Sequence, residues 1–106
     1  MNEATRGVLA RLKQGLSDLY GERLKGVYVF GSYARGEADE ESDIDVLIVL
    51  DRVDNYSQEI ARTSELIANL SLECERSISR VFISEQRWRD DQTMFFRNVR
   101  EEAVPA

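Results

Sequence analysis

Gly31-Ser32-Tyr33-Ala34-Arg35-Gly36-Glu37-Ala38-Asp39-Glu40-Glu41-Ser42-Asp43-Ile44-Asp45 is the stretch on which the reading of this 106-residue chain turns. It lies between two apolar runs. Leu24–Phe30 is rich in β-branched and aromatic residues and ends at a glycine, which predicts a strand. Asp43–Leu50 is the clearest strand in the chain. Apart from its two aspartates it is apolar on both faces, as expected of a central strand covered on both sides. Between the runs, residues 31–42 are short and polar, with room for one helical turn around Ser32–Arg35.

Asp43 and Asp45 stand two apart on a strand, so both carboxylates point to one face. Like charges this close repel unless something positive sits between them. Magnesium, a hard cation, commonly bridges such carboxylates to the phosphates of a substrate. An isolated Asp-x-Asp also reads as two solvated residues at a strand's start. Opening an otherwise apolar central strand, however, uncompensated charge is costly. Gly31 directly after a strand lets the backbone turn sharply and a phosphate approach. Ser32 then begins the helical turn, where free N–H groups and a hydroxyl can meet an anion. Alone, that pair reads first as a turn glycine followed by a capping serine. With Asp43 and Asp45 beyond it, the pair favours a site for phosphate and metal.

Working outward, Val8, Leu9, Leu12, Leu16 and Leu19 recur at helical spacing, which predicts a helix over Thr5–Tyr20 stopped by Gly21. The same pattern predicts a helix over Asn55–Leu72, and a third strand follows at Ser77–Ser84. Glu85–Glu102 reads as helical with a break near Asp90-Asp91. Strands alternating with helices predict an α/β (α+β) fold, a small mixed sheet of three to four strands flanked by helices. The expected organisation is a single domain over residues 1–106.

Composition bounds the chemistry. The net charge of -6 disfavours direct DNA binding. The chain has no histidine, which removes Ser-His-Asp and Cys-His catalysis and the usual zinc sites. Cys74 is the only cysteine, so no intrachain disulfide forms, and the thiol reads as a small packed side chain. Neither a signal-peptide pattern nor an apolar run of about 20 residues is present, so the expectation is a cytoplasmic protein without a membrane partner.

The quoted stretch closely resembles the signature of the DNA polymerase beta-like nucleotidyltransferase superfamily. Ten residues separate Ser32 from Asp43, which is that superfamily's spacing. Ala34-Arg35-Gly36 and Ser42-Asp43 look like its minimal nucleotidyltransferase branch, which includes antitoxins paired with HEPN-domain toxins. The resemblance implies that Gly31 and Ser32 hold a triphosphate, with Arg35 and Ser42 beside them, and that Asp43 and Asp45 bind magnesium and carry catalysis. It further implies transfer of AMP from ATP to a hydroxyl, the acceptor being a tyrosine on a HEPN-type partner. Arg35 reads either as a phosphate ligand, as a partner of Asp43 and Asp45, or as an ion pair holding the acidic loop.

Active members of the superfamily usually carry a third carboxylate on a later strand. Here that strand is Ser77-Ile78-Ser79-Arg80-Val81-Phe82-Ile83-Ser84, without an acid, and Ser79 stands in the equivalent place. Glu73 and Glu75 read as surface residues. A second functional reading follows: a catalytically impaired module that binds nucleotide or neutralises its partner by complex formation. Trp88, Phe95 and Phe96 read as core, or as part of a subunit interface that includes a homo-oligomer. Tyr33 reads as packed beside the turn or as stacked on a base.

Overall fold

The computed structural model describes residues 2–39 and 41–106; Glu40 of the quoted stretch, like Met1, lies outside the described residues. The order is α1 (Glu3–Tyr20), a 3-10 turn (Gly21–Arg23), β1 (Leu24–Phe30), α2 (Ser32–Arg35), β2 (Ile44–Leu50), α3 (Tyr56–Cys74), β3 (Ile78–Ser84), α4 (Glu85–Asp90), α5 (Met94–Glu102) and β4 (Val104–Pro105).

Capping chemistry sets the helix ends. The Asn2 side chain accepts from the Thr5 N–H, and Asn55 does the same for Gln58. Gly21 ends α1 with φ of 55°, where a side chain would be strained. The expected break between the last helices has a local cause. The Asp91 carboxylate accepts from both the N–H and the hydroxyl of Thr93, so the chain turns before α5 begins. Arg100 then donates to the carbonyls of Trp88 and Asp91, holding α5 against the end of α4.

The four strands form one mixed sheet in the order β3-β2-β1-β4. β1 runs antiparallel to β2 and β4, whereas β2 and β3 are parallel. β2 is central and both its faces are covered. Ile44, Val46, Ile48 and Leu50 pack under α1 and α3 with Leu12, Leu16 and Ile67. On the other face Leu47 and Val49 meet Ile83, Val99, Trp88 and Phe96. Central burial explains why this strand could carry apolar residues on both sides.

The helices and strands depart from the expected bounds by one or two residues: α1 starts at Glu3, α3 spans Tyr56–Cys74 and β3 starts at Ile78. β2 begins at Ile44, leaving Asp43 just outside the ladder. β4 lies beyond the expected element order; its two residues have no periodicity to read, and their pairing with Tyr28 and Val29 defines the strand.

Candidate active site

β1 and β2 meet at their site end through Phe30 and Asp45, which are directly paired across the ladder. Gly31 follows with φ of 74° and ψ of -152°, a conformation essentially confined to glycine. A Cβ at Gly31 would run into the Asp45 carboxylate, so the absence of a side chain is what lets that acid lie against the turn. Ser32 is half-buried, and among the described residues its hydroxyl has no hydrogen-bond partner. Gly36, in the left-handed region at φ of 73°, closes α2.

Asp43 is exposed and Asp45 half-buried. Partial burial, and then the neighbouring charge of Asp43, push the Asp45 carboxyl above its ordinary range; Arg35 opposes this and Glu102 adds to it. Among the described residues Asp45 has no ion pair and its carboxylate accepts no hydrogen bond. The site therefore carries a surplus of negative charge. Two carboxylates with an all-oxygen donor character fit a hard divalent cation that completes its shell with phosphate oxygens and water. Among the described residues no group of three or more acids or cysteines is placed to hold a metal.

The other expected residues divide. Arg35 donates to Glu37 at 3.1 Å and to Glu102 at 2.8 Å, so the loop-holding ion pair is formed and α5 shares it. Ser42 is taken up in the loop: its hydroxyl accepts the Asp39 N–H at 3.0 Å and donates to the Asp39 carboxylate at 3.2 Å. Ser79 is exposed and lies directly opposite Asp45 on β3, so the residue expected in place of a third acid shares a register position with that aspartate. Glu73 pairs with Arg11 on α1, and Glu75 caps α3 with φ of 55°. Neither glutamate belongs to the site. Tyr33 packs against the helix-covered core beneath Arg76, and Cys74 is half-buried there too.

Two further residues, both on α5, are tied to the elements that build the site, and the sequence pattern assigned neither of them to it. Glu102, at the end of α5, reaches Arg35 and adds its charge to Asp45. Phe95, near the start of α5, meets the Phe30 ring edge-on at 6.1 Å. Only the docking of α5 across the sheet could reveal them.

Comparisons with known proteins identify the family. The Nucleotidyltransferase domain family matches residues 9–99. "Putative protein adenylyltransferase MJ0604" of Methanocaldococcus jannaschii is 36% identical over 91 residues, covering 82% of each chain. Protein adenylyltransferase MntA of Thermococcus cleftensis is 37% identical over 70 residues, covering 66% of this chain and 69% of its own. Against two further M. jannaschii relatives the matched segment spans 43% and 46% of their length. A crystal structure of a toxin–antitoxin with AMP-PNP superposes with a TM-score of 0.64 at 24% identity, covering 91% of this chain and 69% of that one, which is a likeness of fold. The "Structure of putative minimal nucleotidyltransferase" superposes with a TM-score of 0.57 at 27% identity, covering 95% of this chain and 94% of that one. With the match running over most of both sheet and helices, the chain belongs to the nucleotidyltransferase domain family, as a minimal nucleotidyltransferase.

Proposed function

We propose that this chain, as a single domain, is a magnesium-dependent nucleotidyltransferase that moves AMP from ATP to a hydroxyl, acting as the antitoxin toward a HEPN-type protein partner. The observation that carries the reading is the contact of Gly31 with Asp45, which sets a bare, phosphate-accessible turn beside an under-neutralised carboxylate pair. The names of the MntA and MJ0604 relatives support protein as the acceptor class. The same reading has the protein working in the cytoplasm, where nucleoside triphosphates are held.

In the transfer, the acceptor oxygen attacks the α-phosphorus and a new P–O bond forms. The bond to the bridging oxygen breaks, pyrophosphate leaves with the electron pair, and the hydroxyl proton passes to solvent. Asp43 and Asp45 would hold magnesium, which neutralises the phosphate charge when bound. Gly31 gives the triphosphate room, and the Ser32 hydroxyl is free to donate to it. Arg35 commits two of its five N–H donors to Glu37 and Glu102, so a phosphate oxygen can either share the guanidinium with them or displace one.

The test is incubation with magnesium, α-labelled ATP and the product of the neighbouring gene. Label should appear on that protein, and Asp43→Asn should reduce it by about a hundredfold or more, the scale of losing one electrostatic stabiliser. Unlabelled partner, or labelling untouched by Asp43→Asn, counts against transfer.

Exposed Ser79 opposite Asp45 favours a second reading, a module that neutralises its partner by binding alone. It expects the Asp43→Asn, Asp45→Asn double variant to neutralise as well as the parent. Failure of a folded, partner-binding double variant to neutralise would dismiss it.

A further inference from the structure

The aromatic residues of α4 and α5 do not share one environment. Phe96 and Trp88 pack into the sheet, Trp88 against Tyr28 at 5.3 Å. Phe95 is 49% exposed and its neighbour Met94 73% exposed, so two large apolar side chains adjoin on one open patch. Phe95 is nonetheless held in place: Phe30 lies edge-on to it at 6.1 Å and Phe96 at 4.9 Å, with interplanar angles of 90° and 82°. An aromatic ring fixed in orientation but half open to water is a preformed stacking surface.

Its position follows from the ladder. Phe30 is the direct cross-strand partner of Asp45, so their side chains share one face. Cross-strand neighbours stand about 5 Å apart. Phe95, one ring further out, is then on the order of 10 Å from the carboxylate, the scale of a nucleotide's reach from α-phosphate through ribose to base. α5 is tied to the same site a second time through Glu102 and Arg35, seven residues along the same helix face.

We propose that Phe95, supported by Phe30 and flanked by Met94, is the shelf on which the base of the bound nucleoside triphosphate stacks. The inference rests on the nucleotidyltransferase reading of the Asp43–Asp45 site. A nucleobase matches the patch in size: two exposed side chains fall far short of the roughly 1,000 Å² that a specific protein interface buries. Stacking on a π-face accepts any base, so the shelf supplies affinity, and base selectivity would come from polar groups elsewhere.

The test is calorimetric titration of the intact protein, in magnesium, with ATP and with inorganic tripolyphosphate, which has no base. Phe95→Leu keeps an apolar side chain and removes the π-face. It should weaken ATP by about 5- to 100-fold, the range for loss of one base–aromatic stack, and leave tripolyphosphate unchanged. Phe95→Tyr should restore ATP binding. The shelf is overturned if wild type binds both ligands and Phe95→Leu alters neither, or weakens both equally. It is also overturned if Phe95→Leu spares ATP but abolishes capture of the partner protein, which would make the patch a docking surface. Wild type binding neither ligand would overturn the shelf and the underlying nucleotidyltransferase reading together.

Discussion

Asp45 and Glu59 are both acids drawn into the body of the protein, and the molecule treats them in opposite ways. Glu59, 3% exposed on α3, accepts the Tyr20 hydroxyl at 2.8 Å and pairs with Arg23 at 3.4 Å and Arg62 at 3.6 Å. Both guanidiniums also lie over the Tyr20 ring. Burial, and then the hydrogen bond to Glu59, push the Tyr20 phenol upward, keeping it neutral as a donor. Asp45 has the reverse surroundings: a second carboxylate beside it, Glu102 nearby, and the one close cation already shared by two glutamates. A buried charge that the fold neutralises serves the fold. One left short of positive charge beside a bare glycine turn is suited to an incoming cation and phosphate.

The largest stability contrast should come from removing each charge in turn. Glu59→Gln leaves two arginines facing an amide, and should cost about 2–3 kcal/mol by urea unfolding. That is below the about 3–5 kcal/mol of fully buried pairs because Arg23 and Arg62 reach solvent. Asp45→Asn removes repulsion from Asp43 and should leave the unfolding midpoint equal or raised. A fall in stability comparable with Glu59→Gln would erase the distinction between the two acids.

Gly31→Ala should show the next effect. Its backbone region costs about 1–3 kcal/mol for a residue with a side chain, and the new methyl also displaces Asp45. Gly36→Ala is the matched control. It meets strain at φ of 73° but nothing within 4 Å, so nucleotide binding should survive there and fail at Gly31. Equal nucleotide binding by the two variants would detach Gly31 from the site.

The smallest effect is expected at Asp91, a neutralised acid in the turn between α4 and α5 whose side chain is largely covered. The hydroxyl and N–H of Thr93, and then Arg87, hold its carboxyl down to about 2. Its folded value is below its unfolded one, so its contribution is complete above about 4 and is lost as pH falls toward about 2. Asp91→Asn should remove that part of the acid dependence of the melting temperature. An unchanged acid limb would mean that the turn into α5 does not depend on this charge.

Much of this could be read from local sequence. The 3.6-residue repeat through Val8, Leu12 and Leu16, the strand Leu24–Phe30 and the turn at Ser32–Arg35 all depend on neighbours in the chain, and the structure has them at those places. The fall of Asp43 outside the ladder and the pairing of β4 were not legible, because strand ends are set by partners distant in sequence. Arg35 had three readings, and only the approach of Glu102 from α5 selects the ion pair.

By itself, then, the sequence determined a mixed α/β frame and the turn-and-aspartate pattern of a minimal nucleotidyltransferase, since both depend on residue type at short spacing. Tertiary structure alone decided that Asp45 lies against Gly31, that Ser79 is exposed in register with Asp45, and that α5 brings Phe95 and Glu102 to the elements that build the site. These follow from strand register and helix docking, which bring together residues that carry no mark of one another along the chain.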